Sequence, residues 1–412
     1  MGLLRILYLA MVLCMTHPVS SKAQKDASEP LYRRSSLCQI MICHSDQEYS
    51  SAIKSVYLKL PVSEHYNDHN LSVKVVETVG KLSKSGRNTE NDSITAFLER
   101  NNIASRLVGK WFNRDSSTGT CNMDLIKSRG LYNADEFDRQ MALLSIRGMA
   151  MLEDAGADLI NNTFVVVNDV RYIDKNKTGN IISAIVQSAG VAASIAQNNS
   201  DYTQLGEGAG RIASSLDGFA VKINSFLYQL VWSDSIADIF YAQQYASCED
   251  EVKRQTFEEA RSQYKLKYIG KVESDGSRTS FMGINKNDRE SMLRKALQRA
   301  IDENIAKLQH SFEVFRVKSS LVSVSPIVAY IGKKEGVTPT TMYEVLEVIE
   351  DENGKQEYKR VGIIKPVENM IWDNRYMAND EQAENSELKG TTFRKVNGKD
   401  FMVGMIIREI SN

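Results

Sequence analysis

Two histidines four residues apart, His65 and His69, are the residues in this sequence whose types and spacing best fit metal binding. On a helix, this spacing would place both imidazoles on one face, as in zinc proteases. Those enzymes carry a glutamate directly after the first histidine, whereas this chain has Tyr66 there, and the neighbouring Asn67 and Asp68 favour a loop. We therefore retain His65 and His69 as the metal candidates, expect a structural or exposed role for them, and predict no cofactor.

The other reactive residue types do not form a recognisable catalytic pattern. A nucleotide-binding loop follows a strand, whereas the glycine-rich string Gly206–Gly210 follows a polar stretch. Its Glu207 would also repel phosphate. The chain has five histidines and no Gly-x-Ser-x-Gly elbow, so a Ser-His-Asp triad has few candidate members. Asp169 and Asp174 stand near predicted strand ends, where turn roles suffice. We predict no catalytic residues and keep a hydrolase that uses carboxylates or a metal as an alternative.

The first 23 residues have the three-part layout of a secretory signal peptide. A positive start precedes the apolar run Ile6–Met15, and small residues, Ser21 and Ala23, stand at the −3 and −1 positions of the expected cleavage site. The apolar run is too short for a permanent membrane anchor, and Leu13 before Cys14 does not fit a lipoprotein signal. We expect an exported protein, periplasmic or extracellular, without a lipid anchor.

Charge and cysteine content narrow the partners and the compartment. The net charge of −1 gives no electrostatic basis for binding nucleic acid, so we predict none. Beyond the signal peptide the chain has four cysteines, an even number compatible with disulfides in an oxidising compartment. Cys38 and Cys43 are close enough in sequence to close a small loop and are the candidate disulfide, with free, partly buried thiols as the equally weighted alternative.

The sequence pattern changes near residue 315 from a long helix to a series of short strands, and we place a domain boundary there. We predict a leader and an irregular N-terminal segment over 24–70, an α/β domain over 71–287, and a connecting helix over 288–314. The helix spans Asp288–Phe312, with Asp288 as its cap and apolar residues along one face. Short strands over 315–412 predict a small β-barrel, because few short strands bury little unless the sheet curls. The predicted fold class is α+β, with a barrel of SH3-like or OB-like type.

Several further elements follow from hydrophobic periodicity and turn residues. In the N-terminal region we predict helices over Ser93–Gly109, Asp135–Asp158, Asp234–Tyr245 and Glu249–Tyr264. We predict strands over Thr163–Val167, Val170–Ile173 and Phe219–Leu230, and a hairpin with an Asp-Gly turn over Tyr268–Phe281. In the C-terminal region we predict strands over Phe315–Val324, Ile327–Ile331, Met342–Ile349, Tyr358–Pro366, Thr391–Val396 and Phe401–Ile410. The stretch Thr178–Ser200 has no charged residue, which allows membrane association, although a core or interface helix is the favoured interpretation.

Several strings in the chain resemble a group of uncharacterised secreted proteins of Bacteroidota. These include Lys110–Arg114, Asn162–Asp169, Tyr172–Lys175 and Ile331–Gly336. The resemblance covers most of the chain and implies a place in the cell envelope without an established activity. The layout of an α/β region before a small barrel is also weakly similar to flagellar-ring assembly proteins and to the curli-secretion channel family.

Together these features predict a secreted envelope protein with a binding or assembly role and an envelope protein as its partner. The alternatives are the hydrolase and a subunit of an envelope secretion or pore assembly. Aromatic residues of the predicted barrel, Tyr343, Trp372, Tyr376 and Phe401, are the candidates for the partner surface. The oligomeric state stays open at this point.

Overall fold

The computed structural model describes residues 35–47, 49–78, 90–130, 159–174, 219–274, 288–316, 318–350, 356–381 and 383–410. The predicted signal peptide, the helix over Asp135–Asp158, the uncharged stretch Thr178–Ser200 and the string Gly206–Gly210 lie outside these residues. Within them the chain forms two sheets with helices, so the mixed α+β class is confirmed at that level. None of the helices in this part of the chain combines the length and apolarity needed to cross a membrane.

The N-terminal half forms a six-stranded sheet with helices around it. Its elements in chain order are β1 (Ser36–His44), α1 (Ser50–Leu58), β2 (Asn67–Asp68), β3 (Val75–Thr78), α2 (Glu90–Arg100), α3 (Ile103–Trp111), α4 (Asp124–Gly130), β4 (Thr163–Asp174), β5 (Phe219–Leu230), α5 (Asp234–Gln243), α6 (Glu251–Glu259) and β6 (Leu266–Glu273). Strand β1 is central, because β4 pairs with it in parallel on one side while β2 and β3 pair in parallel on the other. Strands β5 and β6 continue the sheet beyond β4 in antiparallel order.

The central strand lies in a segment that we predicted to be irregular. All nine residues of Ser36–His44 are buried in a strand, so the prediction of an irregular segment is wrong over this range, and the nearby Ser50–Leu58 is a helix. A parallel strand covered on both faces has a nearly continuous apolar sequence instead of an alternating one. Alternation was the expected strand signal, and Leu37–Cys43 does not show it.

The two faces of the sheet bury separate apolar cores. One core contains residues of β1 and β4 with α2 and α3: Cys38, Ile40, Ile42, Val165, Val167, Ile94, Leu107 and Trp111. The other contains the alternate residues of the same strands with α1 and the long helix α7 (Arg289–Ser311): Leu37, Met41, Cys43, Phe164, Val166, Ile53, Leu297 and Ile301. Helix α7 is therefore part of the packing of the sheet, and its predicted cap is confirmed because Asp288 Oδ1 accepts from the Ser291 N–H at 3.0 Å.

The candidate disulfide between Cys38 and Cys43 is not formed, since both thiols are free and buried. The two residues lie on the same strand, an odd number of positions apart, so their side chains enter opposite cores. Five steps along a strand also separate their Cα atoms by about 16 Å, whereas a disulfide needs less than about 7 Å.

The C-terminal half forms a closed ring of six antiparallel strands. Its strands are β7 (Ser319–Val324), β8 (Ile327–Ala329), β9 (Tyr343–Glu350), β10 (Gln356–Pro366), β11 (Thr391–Gly398) and β12 (Ile406–Glu409). They pair in the order β10-β11-β8-β7-β12-β9, and β9 closes the ring onto β10. Each of the six predicted segments overlaps one of these strands, and β9, β10 and β11 extend one or two residues beyond the predicted bounds.

The partner-surface prediction is wrong for two of its four aromatic residues. Tyr343 and Phe401 are only 5% and 9% exposed and belong to the apolar core of the ring. Tyr343 points from β9 into the ring, and Phe401 packs into the same interior from the loop after β11, so both aromatic side chains are buried. Trp372 is half-buried, and Tyr376 is exposed.

Candidate functional site between the long helix and the ring

A group of ionisable side chains gathers where α7 meets the ring. His65 lies in the loop between α1 and β2, Asp302 lies on α7, and Glu335 ends the 3-10 turn Lys333–Glu335 between β8 and β9. These residues come from three distant parts of the sequence. Their convergence therefore depends on how α7 packs between the sheet and the ring, since α7 contacts both the sheet and this turn.

Local hydrogen bonds hold the Glu335 carboxylate in one orientation. Its Oε2 accepts from the Gly332 N–H and from Asn374 Nδ2, both at 2.7 Å. The Oδ1 of the same Asn374 accepts from the Lys334 N–H at 2.9 Å, which ties the turn to the following loop. A Cβ on Gly332 would stand 2.3 Å from the Trp372 carbonyl oxygen, so only glycine fits this close approach.

The other oxygen of Glu335 faces His65. His65 Nε2 lies 3.2 Å from Glu335 Oε1, and the two side chains are 3% and 9% exposed. The contact has the distance of an ion pair but not the alignment of a hydrogen bond, and Oε1 has no hydrogen-bond partner among the described residues. Burial acts to raise the pKa of Glu335, but His65, Asn374 and the Gly332 N–H outweigh burial and lower it.

Glu64 completes a set of three ligand-type side chains. One oxygen of Glu64, one nitrogen of His65 and one oxygen of Glu335 lie within 4.8 Å of one another. In the described part of the chain, no other group of three or more such side chains is this close. Lys334 Nζ stands 3.3 Å from Glu64 Oε1 at the outer side of the group, where the Glu64 side chain is about half exposed.

Asp302 adds a buried carboxyl group from α7. Gln298 Nε2 donates to its Oδ1 at 2.9 Å, while Oδ2 has no hydrogen-bond partner among the described residues. Burial raises the pKa of Asp302 to about 6, although the nearby Lys334 ammonium acts in the opposite direction. The pKa of this carboxyl therefore lies close to neutral pH, which is the range that suits a general acid or base.

A cavity of about 540 Å³ opens beside these residues. Its walls include α7 and the turn, with charged side chains at Arg299, Asp302, Lys307, Lys333, Lys334 and Glu335. The cationic groups already have carboxylate partners: Arg299 pairs with Glu381, Lys307 with Glu303, Lys333 with Asp373 and Lys334 with Glu64. Among the described residues that line this cavity, the buried side-chain atoms without a hydrogen-bond partner are Asp302 Oδ2 and Glu335 Oε1, and both are carboxyl oxygens. The site could therefore bind a cation or a hydrogen-bond donor.

His69, the second metal candidate, does not belong to this site. Its Nε2 donates to the Leu107 carbonyl at 2.9 Å, and its Nδ1 accepts from Arg129 Nη1 at 2.8 Å. Burial, together with the positive charge of Arg129, lowers the pKa of His69 well below 6.5, so the ring is neutral. Both ring nitrogens are in use, and His69 is a structural residue.

A second buried pair was not expected from the sequence. His44, the last residue of β1, hydrogen-bonds through Nε2 to Asp169 Oδ1 on the neighbouring β4, and both side chains are almost fully buried. Arg171 donates to Asp169 Oδ2 from Nε at 3.2 Å and from Nη2 at 3.0 Å. Asp169 is thus inside a long strand and not in a turn. The only sequence signal was a histidine at the end of a run of apolar residues.

No family model matches the chain, and no curated protein matches it.

Proposed function

We propose that the protein is an exported envelope protein with a binding or assembly role, and that the closed ring carries its contact surface. One observation carries this proposal, namely three exposed apolar side chains of the ring. Met402 and Val403, in the loop between β11 and β12, are 60% and 64% exposed, and Val396 near the end of β11 is 46% exposed. Contiguous exposed apolar surface is a mark of protein–protein contacts, and Met402 and Val403 are neighbours in the chain.

The loop that presents these side chains is fixed at both ends. The Lys399 N–H donates to the Val361 carbonyl at 3.1 Å, and the Gly404 N–H donates to the Leu321 carbonyl at 2.8 Å. Phe401 is turned into the core of the ring between them. Because its ends are held in this way, the loop presents Met402 and Val403 from an ordered backbone, which lowers the entropy lost on binding.

The proposal of export rests on the sequence, whereas the proposed type of the ring rests on its strand order. The three-part pattern of residues 1–23 and the resemblance to secreted Bacteroidota proteins support a place in the envelope. Six short antiparallel strands in closed order support the assignment of the ring to the SH3-like or OB-like barrels. Tyr376 and the half-buried Trp372 stay separate candidates for the partner surface.

The test is a cross-linking capture from cell envelopes with the full chain and two variants. We expect the double variant Met402→Asp/Val403→Asp to lose the cross-linked partner, because two carboxylates would have to be buried at the contact. The matched control is Val252→Asp on α6, where the wild-type side chain is 75% exposed. Equal capture by the double variant, with an unchanged melting temperature, would contradict the proposal.

The convergence of carboxyl groups at His65 favours a second function, a hydrolase that uses carboxylates or a metal. Asp302, with its pKa raised to about 6, and the oriented Glu335 would be its acid–base groups. A screen with ester, phosphoester, peptide and glycoside substrates tests it. Turnover that Asp302→Asn and Glu335→Gln both abolish would support a hydrolase, and turnover unaffected by both would exclude these residues from the reaction.

A further inference from the structure

We propose that Glu64, His65 and Glu335 bind a zinc ion that joins the loop after α1 to the ring. The three side chains supply one nitrogen and two carboxylate oxygens, and these atoms lie within 4.8 Å of one another. Zinc accepts this mixture of ligands, and three protein ligands leave one position of a tetrahedral site for water. The proposal concerns metal binding alone and does not depend on turnover or on the partner surface of the ring.

The separation of the two buried ligand atoms fits a shared ion. His65 Nε2 and Glu335 Oε1 are 3.2 Å apart and not aligned for a hydrogen bond with each other. Two ligands of one tetrahedral zinc, each about 2.1 Å from the ion, stand about 3.4 Å apart. A buried carboxylate oxygen without a hydrogen-bond partner is unfavourable, and a metal–oxygen bond would satisfy it.

Two hydrogen bonds to its other oxygen orient the Glu335 carboxylate for this role. The Gly332 N–H and Asn374 Nδ2 both occupy Glu335 Oε2, so Oε1 is the oxygen that faces His65. Such outer partners are a regular feature of protein metal sites, because they fix the direction of the ligand before the ion arrives.

The local charge also favours a dication. Three carboxyl groups, from Glu64, Asp302 and Glu335, interact with the ammonium of Lys334, whereas the other cationic side chains of the cavity pair with other carboxylates. Glu64 is the exposed member and has two oxygens, so one can bind the ion while Oε1 keeps its contact with Lys334. A zinc ion would therefore lower the repulsion among the carboxylates without displacing the lysine.

The consequence of occupancy would be a link between the two halves of the molecule. Glu64 and His65 belong to the loop of the sheet half, whereas Glu335 belongs to the ring. An ion that binds the folded chain and not the unfolded chain stabilises the folded state, so the melting temperature should rise with the zinc concentration.

The test is metal binding by the purified full chain after chelation and reloading. We expect one zinc ion per chain by elemental analysis, a rise in the melting temperature with zinc, and tetrahedral Co²⁺ absorption bands after substitution. His65→Asn and Glu335→Gln should lose the bands and the stoichiometry. Glu64→Gln, at the exposed ligand, should weaken zinc binding about tenfold or more, and it decides the outcome if a buried variant does not fold.

The matched control is His310→Asn. His310 Nδ1 also pairs with a glutamate, Glu409 Oε1, at 2.9 Å and lines the same cavity, but it is not a member of the proposed ligand set. This variant should bind zinc as the wild type does. A wild-type chain that holds no zinc at micromolar concentrations, or that prefers Ca²⁺ or Mn²⁺ to zinc, would overturn the proposal, as would equal zinc affinity in all four variants.

Discussion

At the residue scale, the two histidines of the initial metal candidate have separate roles. His65 lies beside Glu335 at the junction with the ring, whereas His69 is held between Leu107 and Arg129 inside the sheet half. Their spacing would matter only on a helix, and here His69 follows the short strand β2. The chemistry of each imidazole is therefore set by its neighbours and not by the four-residue interval.

His69 should contribute to the loss of stability in acid. The folded state holds it neutral, whereas the unfolded chain protonates it near its ordinary pKa of about 6.5. Below that pH the unfolded state binds more protons, so the free energy of unfolding should fall as the pH decreases from about 6.5. Urea denaturation between pH 7 and 5 measures this slope, which His69→Gln should flatten. An unchanged slope in the variant would contradict the neutral, buried state of His69.

Gly332 should be needed for the position of Glu335. An alanine Cβ would stand 2.3 Å from the Trp372 carbonyl, so the turn must shift, and Gly332→Ala should lower the free energy of unfolding by about 1–3 kcal/mol. Gly109→Ala in α3 is the control, because the nearest atom to its new Cβ is 3.7 Å away and alanine favours the helix. Chemical denaturation of both variants measures the difference, and equal stability would show that the turn has room for a side chain.

At the element scale, helix boundaries were predictable where the signal was local. The helix expected over Ser93–Gly109 is divided into α2 and α3, because Asn102 adopts the left-handed conformation with φ of 51°. Asparagine tolerates this conformation better than most residues, but its type alone does not show that it will do so. The helix over Asp288–Phe312 is confirmed within a residue or two, since its cap and its apolar stripe agree.

The cap of α7 should matter for the candidate site, because this helix carries Asp302. Asp288→Ala removes the acceptor for the Ser291 N–H and should lower the melting temperature, whereas Asp288→Asn keeps an acceptor and should stay close to the wild type. Calorimetry of the two variants compares them directly. Two equal melting temperatures would mean that the first turn does not depend on the cap.

At the scale of the whole molecule, one buried carboxylate connects α7 to the ring. Glu381 pairs with Lys295 Nζ at 2.6 Å and with Arg299 Nη2 at 2.8 Å, and the Lys295 side chain is fully buried. Burial acts to raise the pKa of Glu381, but the hydrogen bonds from Arg299 and Lys295 outweigh it and lower the pKa. The carboxylate is therefore charged in the folded protein and holds the helix against the loop before β11.

Removing this carboxylate should cost more than removing one of its partners. Glu381→Gln leaves a buried ammonium and a guanidinium without their shared carboxylate and should lower the free energy of unfolding by about 3 kcal/mol. Lys295→Met should cost less, because Glu381 keeps its pair with Arg299. Urea titration followed by tryptophan fluorescence compares the two, and the reverse order of stability would contradict this account.

The sequence by itself determined the elements whose signal is short-range. Helix α7 repeats its apolar residues with the helical period, strand β5 alternates at its start, and turn residues separate the C-terminal strands, so each can be recognised without its neighbours. The segment over Thr163–Asp174 was read as two strands, because Asn168 and Asp169 are typical of turns. Inside the sheet, Asn168 hydrogen-bonds to Ser225 and Tyr57, and Asp169 hydrogen-bonds to His44. These partners allow both polar residues to lie within one strand.

Only the tertiary structure decided the centre of the sheet and the members of the candidate site. The sequence indicated His65 but not its partner Glu335, which lies about 270 positions away in a turn of another sheet. Periodicity reports which side of an element is apolar, and it carries no information about which distant element covers that side. The packing of α7 between sheet and ring, driven by burial of its apolar face, is what brings Glu64, His65, Asp302 and Glu335 together.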